Sequence, residues 1–159
     1  GGNWFRVETD VKALTVWQPW ASLLVHGLKE HETRSWSTSH RGHLAIHAAK
    51  RKPPDHLEVD QEFLSAVSAV SSEAGIELPP FRHLPRGAVL GVVKVVDVVP
   101  TEEARIFGRR WEHVLGDFSD DRYAWKVEPV EVFEEPIPAS GHQRLWTWNH
   151  GAMRKERTG

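Results

Sequence analysis

An α+β domain built on a closed or half-closed β-barrel is the fold that this 159-residue sequence predicts. Three features carry the expectation: about six short strand-like stretches, two or three amphipathic helical stretches, and a nearly continuous valine run at 88–99 that reads as a core strand buried on both faces. No internal repeat and no linker interrupts the chain, so residues 1–159 read as a single domain with its core over about 11–149. A chain of this length buries roughly two-thirds of the surface its unfolded form exposes, so no staple is required.

The elements follow in order. Residues 11–16 alternate apolar and polar and suit a first strand. Pro19 fits the first turn of a helix on which Trp20, Leu23, Leu24 and Leu28 fall at helical spacing, with Gly27 as its stop. From Glu32 to Trp36 the period becomes two, which sets Glu32, Arg34 and Trp36 on one face and Thr33 and Ser35 on the other. Residues 42–48 read as a strand with Leu44, Ile46 and Ala48 opposite His43, Ala45 and His47. Pro53-Pro54 break the chain, and 58–74 carries Phe63, Ala66, Val67 and Val70 at helical spacing up to Gly75.

A proline-rich loop spans 78–85 and leads into the valine strand. Thr101 then reads as the cap of a short helix, 109–115 as another helical turn, and 117–121 as a loop. Residues 123–127 and 130–136 read as two strands, and 143–148 as the last, before a basic tail at 154–157.

Composition narrows the function classes. With no cysteine, disulfides and thiolate metal sites are excluded and a reducing cytoplasm is the natural compartment. No apolar run approaches the roughly 20 residues of a membrane span, and no signal peptide opens the chain. A net charge of −2 argues against a sequence-independent duplex binder, which needs a broad basic surface. The charge is unevenly placed, however. Segment 33–54 holds Arg34, Arg41, Lys50, Arg51 and Lys52, three histidines and no acid, which leaves −7 on the remainder. A local anion-attracting patch on an acidic body is the expectation.

The sharpest motif is Gly27-Leu28-Lys29-Glu30-His31-Glu32-Thr33-Arg34, a G-x-K-x-x-E-x-R pattern that follows Trp17-Gln18-Pro19-Trp20. A helix-ending glycine followed by a cation, a carboxylate and a second cation can bind a polar ligand or do acid–base work. These stretches, with Arg41-Gly42, Ile46-His47-Ala48, the strand from Gly87, Tyr123-Ala124-Trp125 and the segment from Pro136 to Trp146, resemble the ASCH domain, a PUA-like β-barrel. The resemblance covers roughly 13–148. It implies a cleft between the first helix and the barrel, lined by the motif, where RNA, DNA or a nucleoside binds. It also implies a mixed family that includes an amidohydrolase on acylated cytidine and a proposed ribonuclease.

The candidate residues divide accordingly. Lys29 stands after a helix end, where a cation is favoured by roughly 0.3–1 kcal/mol, and would otherwise hold a phosphate or, partly desolvated, act as a base. Glu32 and Arg34 form an ion pair in the plainer reading and contact an unstacked base in the sharper one. Were the chain an enzyme, Lys29 and Glu32 would be its acid–base pair, with water as nucleophile. The family's hydrolase branch instead has a threonine at the position that is Glu32 here. Trp17 and Trp20 are candidate stacking platforms, with Gln18 between them, while Trp36, Trp111, Trp125, Trp146 and Trp148 read as core. His40, Arg41, Lys50, Arg51 and Lys52 would rim the cleft and contact phosphates, and His47 would form its polar wall. His43 and His47 share a face but lack a third ligand, so neither metal nor cofactor is expected. Asp97, late in the valine strand, meets the cleft or faces solvent.

Overall fold

The computed structural model describes residues 10–149 in full, together with the backbone of two short flanking strands at 4–6 and 153–155. In chain order the elements are β1 (Trp4–Arg6), β2 (Asp10–Val16), α1 (Trp20–Val25), β3 (His31–Arg34), β4 (Gly42–Ala48), α2 (Gln61–Ala74), β5 (Ala88–Pro100), α3 (Thr101–Phe107), α4 (Glu112–Leu115), β6 (Tyr123–Pro138), β7 (Leu145–Asn149) and β8 (Met153–Lys155). Single 3-10 turns stand at Asp55–Glu58 and Phe81–His83. The six-stranded sheet runs β3-β6-β5-β4-β2-β7 and curls into a half-barrel, the α+β architecture expected. Among the described residues, only β2 and β4 pair in parallel. Strands β1 and β8 form a separate antiparallel pair that takes in Arg154 and Lys155; Glu156 and Arg157 lie outside the described residues.

The valine strand sits between β4 and β6, at the middle of the sheet, so both its edges are paired; residues 88–91 are buried on both faces, whereas beyond them burial alternates and Lys94 and Asp97 are exposed. Leu14, Val16, Leu44, Ile46, Val93, Val95 and Trp125 fill the concave face, closed by Ala21, Leu24 and Val25 of α1. The opposite side of α1, through Leu23, joins Leu28, Phe63, Ala66, Val67, Phe81, Leu84 and Leu115 in a second cluster under α2 and α4. A six-residue helix has no stability of its own; α1 persists because both its faces are buried, which makes it the plug between barrel and helical layer.

Several elements depart from the sequence reading. The two strands expected over 123–136 are one, β6, because Pro129, which has no N–H to donate, falls at a register shift opposite Val93 rather than ending the strand. Thr101 is no cap. Its hydroxyl donates to the Ser119 carbonyl at 2.7 Å, with the Arg122 carbonyl at 3.2 Å, fastening α3 to the start of β6. Helix α2 starts at Gln61 rather than near 58, where the Asp60 carboxylate accepts from the Phe63 N–H at 3.0 Å. The helical turn expected over 109–115 narrows to α4. Trp36 lies past the end of β3 and turns edge-on to Trp125, ring centroids 4.9 Å apart. Asp97 faces solvent at a bulge and accepts from the Val98 N–H. No helix among the described residues is long and apolar enough to cross a membrane.

At Gly91 β5 and β6 leave no room for a side chain: a Cβ there would lie 2.2 Å from the Glu131 carbonyl oxygen and 3.1 Å from the Val132 Cα, both backbone atoms that cannot swing away. Gly91→Ala is therefore expected to destabilise the protein by about 3 kcal/mol, read as a lower urea midpoint; an unchanged midpoint would show that the two strands can part there at no cost.

Candidate functional site

The motif begins with a turn that only glycine fits well. Gly27 has φ +71°, and a side chain there would also meet Pro129 Cγ at 2.8 Å. The Leu28 and Lys29 N–H groups both donate back to the Leu23 carbonyl, at 2.9 and 3.1 Å, so the chain folds tightly under α1. Leu28 enters the second apolar cluster, and Lys29 is directed inward at the first step towards β3.

Lys29 is only 1 % exposed. Its ammonium donates to the His31 carbonyl, lies 3.8 Å from Glu112 Oε2 and faces the Phe118 ring at 5.3 Å. Glu112, on α4, is itself buried, and accepts from the Glu30 N–H at 2.7 Å and from His31 Nδ1 at 3.2 Å. Burial pushes the Lys29 pKa down, against the pull of Glu112, Glu32 and Glu30. Burial alone would raise the Glu112 carboxyl; the His31 hydrogen bond, the Lys29 charge and the Glu30 N–H together outweigh it and hold the group below the usual carboxylate range. Lys29 thus forms a floor rather than a reaching arm.

Above that floor opens a cleft of about 550 Å³ between α1 and β3 on one side and the α4–β6 connection on the other. Glu32 and Arg34 stand on its wall with their side chains on one face, as the period of two requires. Glu32 Oε2 accepts from Arg34 Nε at 2.9 Å and lies 2.8 Å from Nη2, which also donates to the Thr15 carbonyl at 2.7 Å. Among the described residues no protein hydrogen bond takes up Glu32 Oε1 or Arg34 Nη1. An acceptor and a donor without a protein partner therefore belong to two neighbouring side chains of the cleft wall. Thr33 also contributes to the wall, its carbonyl accepting from Arg122 Nη2 at 3.0 Å.

The two candidate platforms differ. Trp17 is 43 % exposed at the mouth, with the Arg51 guanidinium 4.1 Å from its ring centroid. Trp20 is half-buried, its Nε1–H donating to the Leu115 carbonyl at 2.7 Å and its ring edge-on to Phe63. Gln18 lies beneath the cleft rather than in it: it is fully buried, its amide donating to the Pro85 carbonyl and its oxygen accepting from the Ser22 N–H. A larger groove along α2 and the proline-rich loop, about 770 Å³, carries three serines and the exposed Arg82–Glu58 pair at 3.7 Å, and none of the motif residues.

The expected rim is divided by the fold. Lys50, Arg51 and Lys52 leave the end of β4 beside Trp17, whereas His40 and Arg41 precede its start, roughly 20 Å away along a seven-residue strand. There Arg41 Nη1 donates to the Thr38 and His40 carbonyls, and His40 Nε2 donates to the His43 carbonyl. His47 is buried away from the cleft wall: Nε2–H donates to the Ala139 carbonyl at 2.7 Å, which leaves Nδ1 to accept from the Thr15 hydroxyl at 3.1 Å. Burial lowers its pKa, the Ala139 contact opposes this, and His142 lowers it further. No group of three or more His, Asp or Glu among the described residues is arranged to hold a metal. Glu112, Arg122 and the α4 backbone had no signal in the spacing of the motif, from which some eighty residues separate them.

Removing one member of a buried ion pair strands the other, so Glu112→Ala is expected to cost about 3–5 kcal/mol in urea unfolding at neutral pH. The folded carboxyl binds its proton less readily than the unfolded one. Its contribution is therefore complete above the ordinary glutamate pKa of about 4.3 and is lost as pH falls below that. The variant should show a correspondingly shallower acid limb, and an acid limb identical to the parent's would contradict the pairing.

The ASCH domain family model matches residues 14–137, which span the cleft and the sheet from β2 to the end of β6. Activating signal cointegrator 1 of Homo sapiens is 33 % identical over 133 residues, 84 % of this chain, and its Mus musculus counterpart is 32 % identical over 133 residues. The matched region covers 21 % of the length of each relative, so the likeness concerns this domain. With the family match extending over most of the chain and the motif lining the cleft, this protein belongs to the ASCH domain family.

Proposed function

We propose that this domain binds nucleic acid, RNA or single-stranded DNA, by taking one unstacked or modified nucleotide into the cleft. The observation that carries the reading is that Glu32 and Arg34, whose Oε1 and Nη1 have no protein hydrogen bond among the described residues, line a cleft of about 550 Å³ together with Trp17. A base edge presents amino or imino donors next to carbonyl or ring-nitrogen acceptors, and such a wall pairs with both. Arg51 laid on Trp17 forms a cationic, planar platform for stacking, and Lys52 is the next residue in the chain. Trp20, whose N–H is already committed to Leu115, supports the cleft from below. The absence of cysteine fits work in a reducing cytoplasm.

Recognition suits this geometry better than turnover. The Lys29 ammonium is held by the His31 carbonyl and Glu112, and the Glu32 carboxylate is held by Arg34, so neither is a free base facing the cleft. Hydrolysis of RNA or of acylated cytidine that disappeared in Glu32→Ala would overturn that preference.

Fluorescence anisotropy with labelled single- and double-stranded RNA and DNA tests the reading. Trp17→Ala is expected to weaken single-strand binding by about tenfold, the equivalent of 1.4 kcal/mol and within the range for one base stacked on an aromatic ring. Arg34→Ala should weaken it at least as much. If no oligonucleotide binds, or if both variants bind as the parent does, the proposal fails.

A further inference from the structure

We infer that a second groove, which Thr15 separates from the cleft, carries the phosphodiester backbone of the nucleotides that flank the one in the cleft; this rests on the nucleic-acid reading above. The groove encloses about 870 Å³ between the end of β4, the turn before β5 and the loop joining β6 to β7. Its charged side chains are Lys50 and Arg86, its other polar groups include His142 and Gln143, and no acid lines it among the described residues. On a chain of net charge −2 such a surface is not an average sample of the exterior.

The floor is built and rigid. Gly87, at φ +64°, donates to the Ala48 carbonyl at 2.8 Å and accepts from the Ala139 N–H at 3.1 Å, so one turn ties both margins together. Loop 139–143 lies flush on the barrel: a side chain at Gly141 would stand 2.6 Å from Thr15 Oγ1 and 2.8 Å from His47 Cε1. His47 fastens that loop through Ala139, and the Trp146 N–H donates to the same Thr15 hydroxyl at 3.2 Å. Arg86 spends one N–H on the Lys50 carbonyl at 3.1 Å, which brings two cations to one margin while both side chains stay exposed. That arrangement suits a polyanion that needs charge without base-specific geometry.

Thr15 is the wall between the two sites. It lines the cleft and the groove alike, its carbonyl held by Arg34 on the cleft side and its hydroxyl engaged by His47 and Trp146 on the other. A strand whose base enters the cleft beside Arg34 can pass over Trp17 and Arg51 and lay its next phosphates between Lys50 and Arg86. The direction of the strand is thereby set by the fold, whereas Arg41, at the far end of β4, takes no part.

The test compares the parent with the double variant Lys50→Ala/Arg86→Ala. The probes are a labelled single strand of about ten nucleotides, within the span of a compact single-strand site, and an unlabelled nucleoside monophosphate as competitor. The double variant should bind the oligonucleotide about tenfold more weakly, and the slope of log affinity against log salt should fall by about 1.4, the value for two phosphate contacts on a single strand. Competition by the nucleoside monophosphate should be unchanged, and Lys50→Arg/Arg86→Lys should retain the parental slope. An unaltered slope and affinity overturn the inference, as does an equal loss for the mononucleotide, which would place both cations in the cleft. If Trp17→Ala weakens binding while the double variant does not, this inference alone falls; if the parent binds no oligonucleotide, the nucleic-acid reading falls and takes the groove with it.

Discussion

The buried ammonium of Lys29 is the constraint around which the rest of this domain is arranged. A lysine removed from water is costly unless its charge and its donors are met, and here the partners come from three places in the chain: the His31 carbonyl, the Glu112 carboxylate and the face of Phe118. Meeting them forces a short helix, α4, against the start of β3. Glu112 also takes the Glu30 N–H and His31 Nδ1, so one side chain fastens the turn after Gly27 to a segment some eighty residues later. Trp20 completes the tie from α1 through the Leu115 carbonyl. Gly116 follows at once because the Lys29 ammonium stands 2.7 Å from where its Cβ would be.

The cleft inherits its character from that arrangement. With Lys29 paired below the surface, the charged groups lining the cleft are the Glu32–Arg34 pair, Arg122 with Asp117 at 3.5 Å, and Asp60, so its walls carry both signs. Cations without an acidic partner among the described residues stand at the margins, Arg51 on Trp17 and Lys50 with Arg86 around the turn. Such a division, with polar complementarity inside and charge outside, matches the general separation between contacts that specify a base and contacts that hold a backbone. Under the proposed function a slightly acidic protein would hold a polyanion through these marginal cations, since no acid lines the groove of Lys50 and Arg86 among the described residues.

Much of the fold was legible because it is written locally. The alternation of 11–16 and 42–48, the helical spacing of 58–74 and the valine run set strand, strand, helix and core strand with small errors at their ends. The errors have physical causes. Pro129 reads as a break but is absorbed by a bulge, and Thr101 reads as a cap but bonds to residues 119 and 122, across a hairpin that no local window contains. In the site, the facing of Glu32 and Arg34 and the exposure of Trp17 followed from period and position. The grouping of His40 and Arg41 with Lys50, Arg51 and Lys52 did not, because neighbours in a strand-forming segment are held apart by the length of the strand.

By itself the sequence determined which segments are strands and helices, that Gly27 turns the chain before Lys29, and that a carboxylate and a guanidinium share one face of β3; these depend on interactions within a few residues. Only the tertiary structure decided that Lys29 is buried rather than presented, that Gln18 and His47 brace the barrel, and that the basic segment is divided between two ends of β4. It also decided that Arg86 and the 139–143 loop meet Lys50 around a second groove. The reason is burial and pairing: whether a polar side chain is a ligand group or a structural one depends on which distant atoms arrive to satisfy it. For Lys29 that atom belongs to Glu112, and for Lys50 the neighbouring cation belongs to the turn that precedes the core strand.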